Sequence, residues 1–530
     1  MRAINVLLAL LVSALMALGV FEGGLRLIGL GPKKTLNEFH DKLGWVKRPN
    51  STTTRSKPEF DVTFEVNALG LRDDPMTSAA KPEGVFRAVA LGDSFTLGFT
   101  VEREDLFVDQ LEHHWNAQGR NVDVINTGTE GYSTDQEALW LIENGDAYAP
   151  DLVLLFPYDN DIYWNGQTEY FGKPKPRFDH AGQLDHAGPF VEPEDGGAAK
   201  RWAVANLFDR LLGGGPQGHR YQPAAGTRPI LKEFAPLVLP PEGFVTDAVG
   251  RTRGALRALK TKCDELGARL VVAPIPSHSA IEPDYAALFG PGALGIDDSE
   301  AWLPDAPVET LLELCRLEGI DALDARPALK AAVEESGESV HFQQDWHLNP
   351  AGNLAFARFL DRSLDELGVF PAAHAARGDA AGAELATASV AQAAPQGMPT
   401  WMAWFMGLWI VLTTIYYATY KDEPKWQAPL GVGLMLAAVF GIVIGGGRLL
   451  DMAPPVLSQV VLGTFVLWLV GFILYKIGRR MGTILELFKS FTLRGHWYLM
   501  PLVVVLMTIG SLLVVAASSP LVAPFIYTLF

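Results

Sequence analysis

Long apolar runs lie at both ends of this chain and leave a polar middle between them. The first covers residues 3–20; four more cover 401–418, 428–444, 456–475 and 499–517. Each approaches the roughly 20 apolar residues that cross a bilayer. None carries the polar stripe of a helix packed against a soluble core. The chain is therefore expected to divide into an N-terminal anchor (1–30), a polar domain (31–370), a linker (371–399) and a membrane domain of about four helices (400–530). The linker is rich in Ala, Gly and Gln, the composition of a flexible tether.

Basic residues orient these segments. Lys476, Arg479, Arg480, Lys489 and Arg494 fall between the last two runs, and Lys421 and Lys425 follow the second; the 448–455 loop holds only Arg448. Loops rich in Lys and Arg stay in the cytoplasm. The polar domain is then expected outside, on a multi-pass protein of the cytoplasmic membrane. The first run is longer than the apolar core of a signal peptide and lacks an Ala-x-Ala site, which favours an uncleaved anchor. The net charge of −17, with no basic stripe, argues against nucleic acid as a partner. The two cysteines, Cys263 and Cys315, sit in helical patterns and read as small buried hydrophobes rather than a disulfide.

Within the polar domain, short apolar runs (86–91, 122–126, 152–156, 269–273, 320–323) alternate with helical patterns (106–116, 135–143, 247–266, 308–317, 350–367). Alternation of this kind implies an α/β fold, a parallel sheet with helices on both faces. Active sites in such sheets lie beyond the carboxyl ends of the strands. The stretch 163–240, rich in Gly and Pro, breaks the alternation and reads as a lid-like insertion. Its aromatics (Tyr163, Trp164, Tyr170, Phe171, Trp202, Tyr221) suit either stacking on a sugar ring or covering the core.

Chemistry concentrates at a few points. Gly92-Asp93-Ser94-Phe95 follows the 86–91 run, and Asp345-Trp346-His347-Leu348-Asn349-Pro350 comes far downstream. A serine hydroxyl needs an adjacent base to act as a nucleophile. His347 precedes Asn349-Pro350, a good helix N-cap and first-turn pair, and Asp345 is close enough to set its tautomer. Ser94 equally suits a helix N-cap. His278 and His341 lack an acid at the same spacing and rank lower. The Ser94 N–H, the Gly131 N–H and the Asn160 amide are candidate oxyanion donors. Gly131 also suits a positive φ, and Asn160 a turn. No cofactor or metal is expected, since no ligand cluster is apparent.

These motifs resemble the SGNH/GDSL hydrolase superfamily, whose Ser, Gly, Asn and His sit in four ordered blocks. Gly92–Gly98, Asn126–Gly131, Asn160-Asp161 and His347 match them in order over about 85–367. Tyr158 stands where the third block usually has Gly, and Gln344 where the fourth usually has Asp. The Asp345-x-His347 spacing is similar to that of exopolysaccharide O-acetylation proteins related to alginate acetylation. The segment 66–73 resembles a lead-in of membrane-anchored members. The resemblance implies a three-layer flavodoxin-like fold of the SGNH type. It implies a bacterial, membrane-anchored serine esterase in the periplasm or at the cell exterior, with catalytic Ser94, His347 and Asp345. Its substrate would be an acylated envelope glycan or lipid ester. One alternative is an O-acyltransferase working with a membrane acyltransferase partner; another is a non-catalytic glycan-binding or assembly protein.

Overall fold

The computed structural model describes residues 36–57, 59–193, 220–221, 230–239, 241–282 and 302–375, with scattered helical positions between 18 and 22 and between 405 and 437. The expected membrane runs lie largely outside the described residues, as does most of the expected linker. Among the described residues no helix is long and apolar enough to cross a membrane. The chain divides into two compact units, one made of 34–194 and 216–390, the other of 1–33, 195–215 and 391–530. Within the second unit, the Trp409 indole N–H donates to the Pro429 carbonyl at 2.7 Å, joining two helical pieces.

The first unit is built on five parallel strands: β1 Phe86–Gly92, β2 Val122–Asn126, β3 Leu152–Phe156, β4 Arg269–Val272 and β5 Asp321–Ala322. Their order is β2-β1-β3-β4-β5, the flavodoxin-like arrangement. Every residue of β1 and β3 is buried. A parallel strand covered on both sides needs such a continuous apolar run.

Successive side chains point to opposite faces and feed separate cores. Ala88, Ala90 and Leu154 pack against α2 (Phe107–Ala117) and α9 (Pro350–Glu366) through Phe107, Trp115, Phe356 and Leu360. Val89, Leu91 and Leu155 pack on the other face against α3 (Thr134–Tyr148), α5 (Gly243–Leu266) and α7 (Ala306–Glu318). Three layers result, as the alternation predicts. Cys263 and Cys315 are free and buried in the second core, and burial pushes both thiols up to about 12.

Two features depart from expectation. First, an antiparallel hairpin, Ser51–Lys57 with Phe60–Val66, precedes the sheet. Phe60, Val62, Phe64 and Val66 alternate inward and meet Leu97 and Phe99, just beyond Ser94. Second, the insertion is not structureless over its described part. It forms α4 (Asp161–Trp164) and the small hairpins Glu169–Tyr170/Lys173–Pro174 and Arg177–Phe178/Leu184–His186. Tyr163 and Trp164 are buried, and Tyr170 and Phe171 stack around Trp164 with centroids 4.6 and 5.1 Å away. Tyr163 and Trp164 are taken out of water and Tyr170 packs beside the second core, whereas Phe171 stays exposed. Trp202 lies outside the described residues.

Candidate active site

The reversal of strand order falls between β1 and β3, so a crevice opens at their carboxyl ends. β1 closes on Gly92, where a Cβ would collide with the Thr96 side chain. Asp93 then caps a four-residue helix, α1 (Ser94–Leu97), its Oδ1 accepting the Phe95 N–H at 2.8 Å. Ser94 is thus the first residue of α1, held at the crevice mouth. The lead-in Val66–Asp73 supports it from beneath. Arg72 is fully buried and donates to the carbonyls of Leu97 (2.8 Å), Gly98 (2.5 Å) and Val101 (2.9 Å). Its neighbour Asp73 accepts the Asn126 N–H at the end of β2.

His347 lies on a short loop before α9. His341 and Leu348 form a bridge, and Asn349 caps α9 by accepting the Gly352 N–H at 2.9 Å. The structure brings Ser94, 253 residues away from His347, into one line with His347 and Asp345. Ser94 Oγ is 2.8 Å from His347 Nε2, and His347 Nδ1 is 2.5 Å from Asp345 Oδ1. A carboxylate only accepts, so Nδ1 carries the proton and Nε2 is left to accept from the Ser94 hydroxyl. The rings of Phe95 and Phe99, 4.4 and 5.4 Å from the imidazole, fix its plane.

The acid follows from this geometry. Gln344 is exposed, whereas Asp345 is buried and turned toward His347. Asp345 Oδ2 accepts from Lys57 Nζ at 2.7 Å. Burial opposes ionisation of Asp345, but His347 and Lys57 outweigh it and hold the carboxyl well below the usual range. Glu59, in the hairpin turn, accepts the N–H groups of Gln343 and Gln344, both at 2.7 Å. Lys57 and Glu59 were not expected from the sequence. The alternation Phe60-Asp61-Val62-Thr63-Phe64-Glu65-Val66 is the signal that marks their hairpin.

The candidate oxyanion donors lie at the same end of the sheet. Gly131 has φ +74°, and its Cα faces the Tyr170 ring so closely that a Cβ would come within 2.8 Å of it. Two residues earlier, the Thr129 N–H donates to the Gly92 carbonyl at 3.0 Å. Asn160 opens α4, and its side-chain amide makes no hydrogen bond among the described residues. It lines a cavity with Tyr158, His278 and Trp346, the last adjoining His347. Tyr158 packs its ring 4.5 Å from that of Phe95 and extends the contact between β3 and the segment after β4.

The sequence shows no ligand cluster, and here the structure differs. Neither His278 nor His341 has an acid at the Asp345–His347 spacing, but Glu282, four residues beyond His278, folds back onto His341 (Nδ1 to Oε1, 3.0 Å). The three form a buried cluster with ligand atoms within 4.8 Å of one another, where no ligand cluster was apparent in the sequence.

The fold and site define an α/β protein with a Ser–His–Asp line at the switch point of a flavodoxin-like sheet. A family of unknown function (DUF5989) matches residues 481–530, outside the described residues. No curated protein matches the chain. Among solved structures, an acetyl xylan esterase (AlAXEase) is 11% identical with a TM-score of 0.30, over 53% of this chain and 100% of its own. LAE5, an alpha/beta hydrolase enzyme from the metagenome of Lake Arreo, Spain, is 14% identical with a TM-score of 0.30, over 54% and 96%. A lipase/acylhydrolase from Enterococcus faecalis is 15% identical with a TM-score of 0.29, over 53% and 96%. The site geometry, rather than these likenesses, carries the functional reading.

Proposed function

We propose that this chain is a serine esterase acting on O-acyl esters. The observation that carries the reading is the continuous hydrogen-bonded line Ser94–His347–Asp345 at the carboxyl end of the sheet. In this reading Ser94 Oγ attacks the ester carbonyl while His347 Nε2 takes its proton. The Ser94 N–H, the Gly131 N–H and the Asn160 amide hold the developing oxyanion. His347 returns the proton to the leaving alcohol oxygen, and the acyl group stays on Ser94. A water then attacks the acyl-enzyme, its proton passing through His347 back to Ser94, and the acid leaves. Asp345 orients the imidazole and stabilises its charged form.

The apolar terminal runs and the placement of Lys and Arg support an extracytoplasmic domain tethered to the membrane, with an acylated envelope glycan or lipid ester as substrate. Transfer of the acyl group to a sugar hydroxyl instead of water uses the same site. The Asp345-x-His347 spacing favours keeping that second reading.

Covalent labelling of Ser94 by a fluorophosphonate tests the proposal. Labelling is expected in the wild type and lost in Ser94→Ala and His347→Ala. An unlabelled, folded wild type that releases no acid from simple esters overturns it. Release of free acid unaffected by glycan acceptors selects hydrolysis over transfer.

A further inference from the structure

The cluster His278, Glu282 and His341 is not used by the ester chemistry. His278 and Glu282 come from α6 (His278–Ile281) and the residue following it, close to the end of β4; His341 comes from the loop that carries Asp345 and His347. All three side chains are buried, at 2%, 7% and 1% exposure. Two nitrogens and a carboxylate converge: His341 Nδ1 lies 3.0 Å from Glu282 Oε1, and His278 Nε2 lies 3.8 Å from Glu282 Oε2. The two imidazoles stack with centroids 4.5 Å apart. A tetrahedral metal site with bonds of about 2.0 Å has ligand edges of roughly 3.3 Å. The two nitrogen–oxygen separations lie on either side of that value, and the three ligand atoms all fall within 4.8 Å of one another.

His341 meets Glu282 through Nδ1; its other ring nitrogen, Nε2, is buried and makes no hydrogen bond among the described residues. Glu282 is shared, since it also accepts the Val340 N–H at 3.0 Å. A buried carboxylate between two imidazoles is a donor set suited to a borderline cation, and His₂Glu with one open position is a known zinc arrangement. His278 also lines the cavity that holds Asn160 and Trp346.

We propose that His278, Glu282 and His341 bind one divalent cation of the zinc type, with the fourth position open to water on the cavity side. The ion ties the segment after β4 to the loop ahead of Asp345. This site stands on its own residues and does not depend on the ester reading.

The test uses the full chain, purified, stripped with a chelator and titrated with Zn²⁺ by calorimetry, with metal content measured separately. About one equivalent is expected, as for a three-ligand site. At least tenfold weaker binding is expected in His341→Ala and in Glu282→Gln, with circular dichroism confirming the fold. Uptake by the wild type no greater than by the double variant His278→Ala/His341→Ala overturns the proposal. Should the variants fail to fold, Co²⁺ added to the stripped wild type decides. The intense visible bands of a four-coordinate site support it, and the pale spectrum of the aqueous ion overturns it.

Discussion

Lys57 Nζ and Asp345 Oδ2 meet at 2.7 Å across 288 residues of sequence, while the other oxygen of the same carboxylate holds His347. The hairpin lysine thus keeps the acid ionised and prevents it from turning away from the imidazole. Replacing it by Met, of similar length, leaves one oxygen of a buried carboxylate unpaired. A hydrogen bond to a charged group is worth about 1.5–3 kcal/mol. Lys57→Met is expected to lower kcat/KM by roughly tenfold to a hundredfold, with Lys57→Arg recovering part of the loss. Initial rates on a simple ester, beside circular dichroism, check this.

Asp345→Asn preserves shape but leaves one acceptor oxygen for both Lys57 and His347; with that oxygen on Lys57, a donor amide faces Nδ1 and reverses the His347 tautomer. A loss on the order of 10⁴ in kcat is expected, as for other Ser-His-Asp sites. Thermal unfolding at neutral pH shows whether the fold survives the change.

Gly131 occupies a left-handed conformation at φ +74° beneath the Tyr170 ring. Gly131→Ala adds about 1–2 kcal/mol of backbone strain and forces the ring to move. Both a lower melting temperature and a fall in kcat are expected. Tyr170→Ala added to Gly131→Ala should recover part of the activity lost to the ring contact while the backbone strain remains.

Arg72 serves three carbonyls beyond Ser94 from a fully buried position. Arg72→Met leaves those carbonyls without their donor, at about 1–3 kcal/mol for each buried group left unsatisfied. A lower melting temperature is expected, together with reduced fluorophosphonate labelling of Ser94.

Burial pushes the Asp159 carboxyl up to about 8, helped by the nearby Glu233. An unfolded Asp titrates near 3.9. Between those values the native state holds a proton that the unfolded chain has lost, so stability falls as pH rises through this window. Below about pH 4 both states are protonated and the penalty vanishes; above about 8 it is complete. Asp159→Asn is expected to raise the melting temperature at pH 9 relative to the wild type and to leave it nearly unchanged at pH 4. Scanning calorimetry at the two pH values checks the sign.

The five sheet strands and the helices α2, α3, α5, α7 and α9 were legible in the sequence to within a few residues at most boundaries. Their signal is local: an apolar run covered on both faces, or an apolar stripe at helical spacing, is written in consecutive residues. Ser94, Asp345 and His347 were legible for the same reason, since each sits at a strand end or beside a helix cap. The Asn349-Pro350 pair marked the start of α9 through capping alone. The hairpin Ser51–Val66 was missed, although its alternation is plain once sought. The aromatics of the insertion remained ambiguous because an aromatic side chain suits a core and a sugar equally well until its neighbours are known.

By itself, then, the sequence determined the layered α/β architecture and the three polar residues of the site. Hydrophobic periodicity and capping act within a few residues of the chain. Only the tertiary structure decided that Lys57 and Glu59 clamp the loop of Asp345 and that Glu282 meets His341. These pairings join segments far apart in the chain. Nothing in local periodicity specifies which distant charge a buried group will meet.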